Sequence, residues 1–252
     1  MKKYMKSISI IVIILALWFL FSSLHIWSSY VLPSPSKVLN TFIKMCKSGE
    51  IFIHIWDSLL RVIIGFSIAF LLAFSLGVLS SIKPGAAPYY SHMVEFIRNV
   101  PPLSLIPLLI LWFGIGETSK IIIIVLTSFF PMFLNTKKGL ISCDTKLLEV
   151  GDSFGFTTSR KFFHIMLPNA IPDILVGMRT GLGYSWRSII GAEMIAASSG
   201  LGYFILDAQQ MARSDKVIVG IIVIGTVGLC CDKLFSFGIK KISHGGVGDS
   251  WS

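Results

Sequence analysis

Ionisable side chains gather at two places in this sequence where apolar residues surround them. The first is LLEVGDSFGFTTSRKFFHIMLPNAIP, residues 147–172, with Glu149, Asp152, Arg160, Lys161 and His164. The second is ILVGMRTGLGYSWRSIIGAEMIAA, residues 174–197, interrupted by Arg179, Arg187 and Glu193. Neither carries paired carboxylates, HExxH or GxSxG, which leaves intramembrane enzymes a remote class. GIGETSK, residues 114–120, does not meet the GxxxxGK[ST] spacing of a phosphate loop, and no strand precedes it. Nucleotide binding by this chain is therefore rejected. His54, His92 and His164 are scattered, and the four cysteines show no CxxC spacing. Neither set suggests a metal site, and the cysteines read as packing residues. Asp57 and Arg61, at i and i+4, are expected to form an intrahelical pair.

Composition decides what kind of chain presents these charges. Hydrophobic residues make up 54% and charged residues 14%, with a mean hydropathy of +0.77. A soluble domain of this length must wet its surface and does not look like this. The apolar residues also form runs near the roughly 20 needed to cross a bilayer. The net charge of +9 does not imply a nucleic-acid partner. Lys2, Lys3 and Lys6 precede the first run, Lys137, Lys138, Lys146, Arg160 and Lys161 surround the polar insert, and Lys233, Lys240 and Lys241 follow the last run. Such clustering in alternate loops is the positive-inside pattern. The first apolar run is too long for a signal-peptide core and reads as a retained span.

The expectation is an all-α polytopic membrane protein with about six transmembrane helices, both termini inside. Spans are expected near 7–27, 53–80, 94–113, 119–134, 174–196 and 217–237, helical because lipid offers the backbone no other partner. Cytoplasmic segments are then 82–93, 135–173 and the tail. External segments are 29–52, a turn at 114–118, and 197–216. Residues 38–47 read as a short amphipathic helix on the outer interface. Pro101, Pro102 and Pro107 must break or kink the third span. Gly177 and Gly181 form a small-xxx-small pair suited to close helix approach. A charge at mid-bilayer costs ~2.5–3.5 kcal/mol, so Arg179, Arg187 and Glu193 are expected to face a bundle interior or water. Arg187 and Glu193, six residues apart, lie on different faces of one helix and do not pair with each other. They either hold structural partners or, with Asn99, line a path that favours an anionic solute.

The insert reads as two short helices. The first, TKLLEVGDSF, ends at Gly155, the residue best suited to a left-handed C-cap. The second starts near Thr158 or Ser159, either of which can cap it, and closes at Leu167-Pro168. Pro172 then opens the fifth span.

These residues carry a resemblance. Glu149-Val150-Gly151, Gly155, Ile165 and Leu167-Pro168 stand in the register of the EAA-x3-G-x9-I-x-LP loop of type I ABC importer permeases, the loop here covering about 144–172. VLPSPSKV, RNVPPLSLIPLLILWFGIGETSK, FFPMFLNT and GAEMIAASSGLGYFILDAQQ are similar to the branch serving nitrate, aliphatic sulfonates, taurine and related solutes, which extends the likeness over nearly the whole chain. Val150 and Gly151 depart from the two alanines, and Gly151 is expected to loosen the first helix by roughly 1 kcal/mol. The resemblance implies a homodimer, a separate ABC ATPase subunit that binds the ATP, and an extracytoplasmic solute-binding protein, in a bacterial cytoplasmic (inner) membrane. It implies that Glu149, Gly155, Ile165, Leu167 and Pro168 couple the spans to the ATPase, and that no cofactor is held in this chain. Three segments follow: 1–52, first span and external segment; 53–240, core permease; 241–252, cytoplasmic tail. The competing reading is an ion-gradient-driven secondary transporter, disfavoured because no internal repeat and few intramembrane acids are found. Vitamin-precursor import is a further solute alternative.

Overall fold

The computed structural model describes residues 2–24, 27–82, 85 and 87–242, and all regular structure among them is helical. The elements are α1 (Lys2–Ser23), α2 (Pro35–Ser48), α3 (Glu50–Ile82), α4 (Ala87–Asn99), a 3-10 turn (Pro102–Leu105), α5 (Ile106–Phe113), α6 (Glu117–Ile141), α7 (Thr145–Ser153), α8 (Thr158–Lys161), a π-turn (Phe162–Met166), α9 (Leu167–Ala196), α10 (Leu201–Gln210) and α11 (Ser214–Ile242). Beyond Ile242, the expected tail lies outside the described residues.

The expected spans at 53–80, 119–134 and 217–237 fall inside α3, α6 and α11, each long and apolar enough to cross a bilayer. The expected span at 94–113 is two helices, α4 and α5, meeting at 83°. Pro101 and Pro102 lack the donors a continuous helix needs, and Pro101 is extended at ψ 119°. Part of the expected 82–93 loop is already helical as the start of α4. The expected loop at 197–216 contains α10, which bends 44° from α9 and buries Leu201, Phe204 and Ala208 in the core. Pro172 lies inside α9 rather than at its start.

Packing gives each helix a direction. Gly65 and Gly77 of α3 lie against Ile124 and Thr136 of α6, so the two helices run parallel. The chain between them must therefore cross back, and α4–α5 is the segment that does so. Gly177 and Gly181 of α9 lie against Pro131 and Met132 of α6, the close approach expected of the pair. Gly139 of α6 meets Ala170 near the start of α9, making these helices antiparallel. Thr127 and Ser188 join their middles at 2.9 Å. The core fills the space between these helices and α11 with Ile123, Ile124, Trp186, Ile189, Val219 and Val223. Trp186 donates its Nε1–H to the Ile224 carbonyl at 3.2 Å.

One end of the bundle gathers residues that the sequence places outside. Thr41 of α2 donates to Asp215 at 2.7 Å, and Lys216 pairs with Glu50 at 2.7 Å. The opposite end gathers α7, α8 and the α6–α9 junction, where Lys138 pairs with Asp173 at 3.1 Å.

Candidate coupling loop and translocation path

The loop between α6 and α9 is a braced elbow. Asp144 caps α7 by accepting from the Lys146 amide at 2.9 Å. The helix ends with Gly155 at φ +68°, while the Gly155 and Phe156 amides return to the Asp152 and Gly151 carbonyls, each at 2.9 Å. That six-to-one bond satisfies carbonyls otherwise orphaned at a helix end. Thr157, one residue before the expected position, caps α8 by accepting from the Arg160 amide. Lys161 crosses back to Asp152 at 2.6 Å, and the Arg160 guanidinium lies 4.8 Å from the Phe156 ring centre. Gly151 is buried, and a Cβ there would meet Ile165 Cδ1 at 2.9 Å and Lys161 Cγ at 3.2 Å. Its missing side chain lets the two arms close on each other, which sets a packing gain against its helix-loosening cost.

The second arm is not closed by Leu167-Pro168, contrary to expectation. Helix runs without interruption from Thr158 to Ala196. Pro168 has no N–H for the carbonyl four residues back, and the wider turn at Phe162–Met166 absorbs the defect: the Leu167 amide reaches the Phe162 carbonyl, five residues back. The elbow's second arm and the fifth apolar stretch are therefore one rod. Leu167 packs beside Leu140, Ala170 and Ile174, and Pro168 is exposed.

The outward face of α7 is apolar, which the charge pattern of the insert did not suggest. Leu147, Val150 and Phe154 repeat on one helical face and are 48%, 51% and 76% exposed. Glu149 stands beside them, exposed, its carboxylate without a hydrogen bond or ion pair among the described residues. Gly155 has open space where a Cβ would stand. The spacing i, i+3, i+7 is legible in the sequence; that this stripe faces away from the bundle is not.

At the other end, Arg61 does not pair with Asp57. Its Nε and Nη2 donate to Glu117 at 2.6 and 2.9 Å, and its Nη1 donates to Glu193 at 2.8 Å and to the Ser199 carbonyl at 2.9 Å. Lys120 reaches Glu117 at 2.6 Å. Glu193, fully buried, also accepts from the Ser58 hydroxyl at 2.8 Å and the Gly202 amide at 2.9 Å. A buried guanidinium needs buried or bidentate acceptors, and those lie on other helices rather than one turn away. The cluster balances two cations against two anions and ties α3, α6, α9 and α10 together. Balance of charge among Arg61, Glu117, Lys120 and Glu193 was the signal available in sequence.

Of the residues expected to line a path, Arg187 lies in the wall of a cleft of about 350 Å³ between α9 and α11, which Arg179, Tyr184, Asp232, Ser236 and Lys240 also line. Arg179 is already neutralised there by a bidentate pair with Asp232 at 2.9 and 2.8 Å. Glu193 is enclosed in the ion cluster. Asn99 sits exposed at the α4–α5 break and donates to the Glu95 carbonyl at 2.8 Å.

Comparison with known proteins places this geometry. Residues 73–242 match the model of the binding-protein-dependent transport system inner membrane component. The chain is 37% identical to the aliphatic sulfonates transport permease protein SsuC of Bacillus subtilis over 95% of this chain and 87% of that one. It is 32% identical to the taurine transport system permease protein TauC of Escherichia coli, covering 94% and 87%. Its fold is similar to that of a solved amino acid ABC transporter, with a TM-score of 0.64 at 20% identity, covering 81% of this chain and 97% of that one. With two thirds of its length in the family model and near full-length relatives above 30% identity, this chain belongs to the binding-protein-dependent transport system inner membrane components, the permease subunits of ABC transporters.

Proposed function

We propose that this chain forms, as a homodimer in the bacterial cytoplasmic membrane, the translocation path for a small organic anion of the aliphatic sulfonate or taurine class. A separate ATPase seats on the α7 elbow, and an extracytoplasmic solute-binding protein delivers the solute to the opposite end. Six crossings are assigned: α1, α3, the α4–α5 pair, α6, α9 and α11, with both termini inside. Residues 1–52 supply the first crossing and the external α2, 53–240 the core, and 241–252 a cytoplasmic tail. Glu149 and Gly155 meet the ATPase. Ile165, Leu167 and Pro168 fix the elbow to α9, so a push on α7 reaches the bundle as rigid-body movement. Arg187 lines the path, Asn99 stands at its bend, and Glu193 positions the end where α10 begins.

The observation that carries this reading is the exposed Leu147–Val150–Phe154 stripe beside an unpaired Glu149, mounted on a rod continuous with a bilayer-length helix. The sulfonate and taurine permeases among its relatives support the solute class.

Gly155 supplies the test. Its positive φ penalises every L-residue by about 1–2 kcal/mol, while the open space around it means that bulk alone disturbs nothing within this chain. Gly155→Ala and Gly155→Lys should therefore insert equally well. The reading expects ATPase co-purification and uptake to survive in the alanine variant and to be lost in the lysine variant. Full uptake in both would remove the elbow from the coupling route.

A further inference from the structure

Three successive amides open α10, and side chains of other helices cap all three. Gly200 donates to His54 Nδ1 at 3.2 Å, Leu201 to the Ser58 hydroxyl at 2.9 Å and Gly202 to Glu193 at 2.9 Å. Just before them, the Ser199 carbonyl and hydroxyl each accept from Arg61 at 2.9 Å. The first amides of a helix have no partner within it, and Gly200 has no side chain with which to cap them. His54, Ser58 and Arg61, at i, i+4 and i+7 on one face of α3, therefore clasp the 44° bend between α9 and α10.

Of the clasping groups, His54 has the side chain whose ordinary titration falls between mild acid and neutrality. A backbone N–H can only donate, so the Nδ1 that faces it carries no proton and the ring is neutral. A proton on Nδ1 would set donor against donor and place a cation at a helix N-terminus, where the dipole opposes it. The ring has acceptors to turn to. Asp57 of α3 and Asp207 of α10 act on it electrostatically and make no hydrogen bond or ion pair among the described residues. Glu50 of α3 and Lys216 of α11 also face it, but pair with each other at 2.7 Å. Tyr203 and Phe204 of α10 flank the ring at 6.3 and 5.4 Å between centres, and the residue is only partly buried.

We propose that His54 is a pH-sensitive latch on the α9–α10 bend. Neutral, it holds the Gly200 amide; protonated on Nδ1, it releases that amide and turns towards Asp57 and Asp207. The held form carries one proton fewer than the released form, so the latch is closed at neutral pH and opens as pH falls through the imidazole range. That the pH sensed is the external one rests on the orientation proposed above; the latch itself requires only this chain.

The full-length chain in nanodiscs is followed by amide hydrogen exchange at Gly200–Gly202, corrected for the intrinsic effect of pH, at about pH 7.5 and about pH 5, either side of the imidazole range. Protection of the wild-type Gly200 amide should fall about tenfold on acidification. His54→Asn, whose Oδ1 can take the amide but not a proton in this range, should stay protected at both. His54→Leu should be unprotected at both. Amides near Ile124 in α6 should hold throughout, because release of the bend is local. Wild-type protection that ignores pH, an acid loss that persists in His54→Asn, full protection in His54→Leu, or a parallel loss near Ile124 overturns the latch. Neither uptake nor the ATPase is read here, so this proposal and the coupling role of Gly155 fail separately.

Discussion

The charges of this chain are spent at opposite ends in opposite ways. Around Arg61 they are mutually neutralised and, Glu117 apart, buried; on α7, Glu149 is left exposed with no partner among the described residues. The buried set has a testable consequence. Arg61→Met strands Glu193, fully buried, beside only the Ser58 and Gly202 donors, and removing one partner of a buried ion pair costs about 3–5 kcal/mol. Thermal unfolding in detergent should show a large fall in midpoint. Adding Glu193→Leu should recover much of that fall, because Glu117 is 58% exposed at its side chain and can return to water. Additive losses in the double variant would show that Arg61 and Glu193 do not act as a pair.

At the scale of the element, the π-turn before α9 decides how the elbow is aimed. A π-turn carries one extra residue relative to regular helix, so removing it rotates everything beyond by about 100°, one residue's share of a 3.6-residue turn. Pro168→Ala restores the missing donor and allows the turn to relax. Reconstituted with its ATPase in proteoliposomes, that variant should hydrolyse ATP while moving severalfold less solute per ATP. An unchanged ratio would mean that the aim of α7 does not depend on Pro168.

For the molecule as a whole, the parallel setting of α3 and α6 supports the proposed crossing by the bent α4–α5 pair. On that proposal the segments holding Ser48 and Ser153 are separated by three crossings and face opposite compartments. Ser48→Cys and Ser153→Cys, each in a background without Cys46, Cys143, Cys230 and Cys231, should label from opposite sides with a membrane-impermeant maleimide. Ser48 should react in intact cells and Ser153 only after permeabilisation. Labelling of both from one side would leave α4–α5 re-entrant.

Hydropathy and charge placement by themselves determined the class of fold, the helices α3, α6 and α11, and the polar insert between α6 and α9. Those properties depend on solvent and on neighbours along the chain. The register Glu149, Gly155, Ile165, Leu167-Pro168 and the left-handed end at Gly155 are likewise local, so the order of residues is enough to reveal them. Tertiary structure alone decided three things. It sent Arg61 to Glu117 and Glu193 rather than Asp57, because a buried charge is satisfied by whichever acceptor packing brings near. It fused the second arm with α9, because a proline early in a helix is tolerated if the preceding turn widens. It turned the α7 stripe outward and set Arg187 in the wall of the α9–α11 cleft, since which side of a helix meets the bundle is settled only when the other helices are in place.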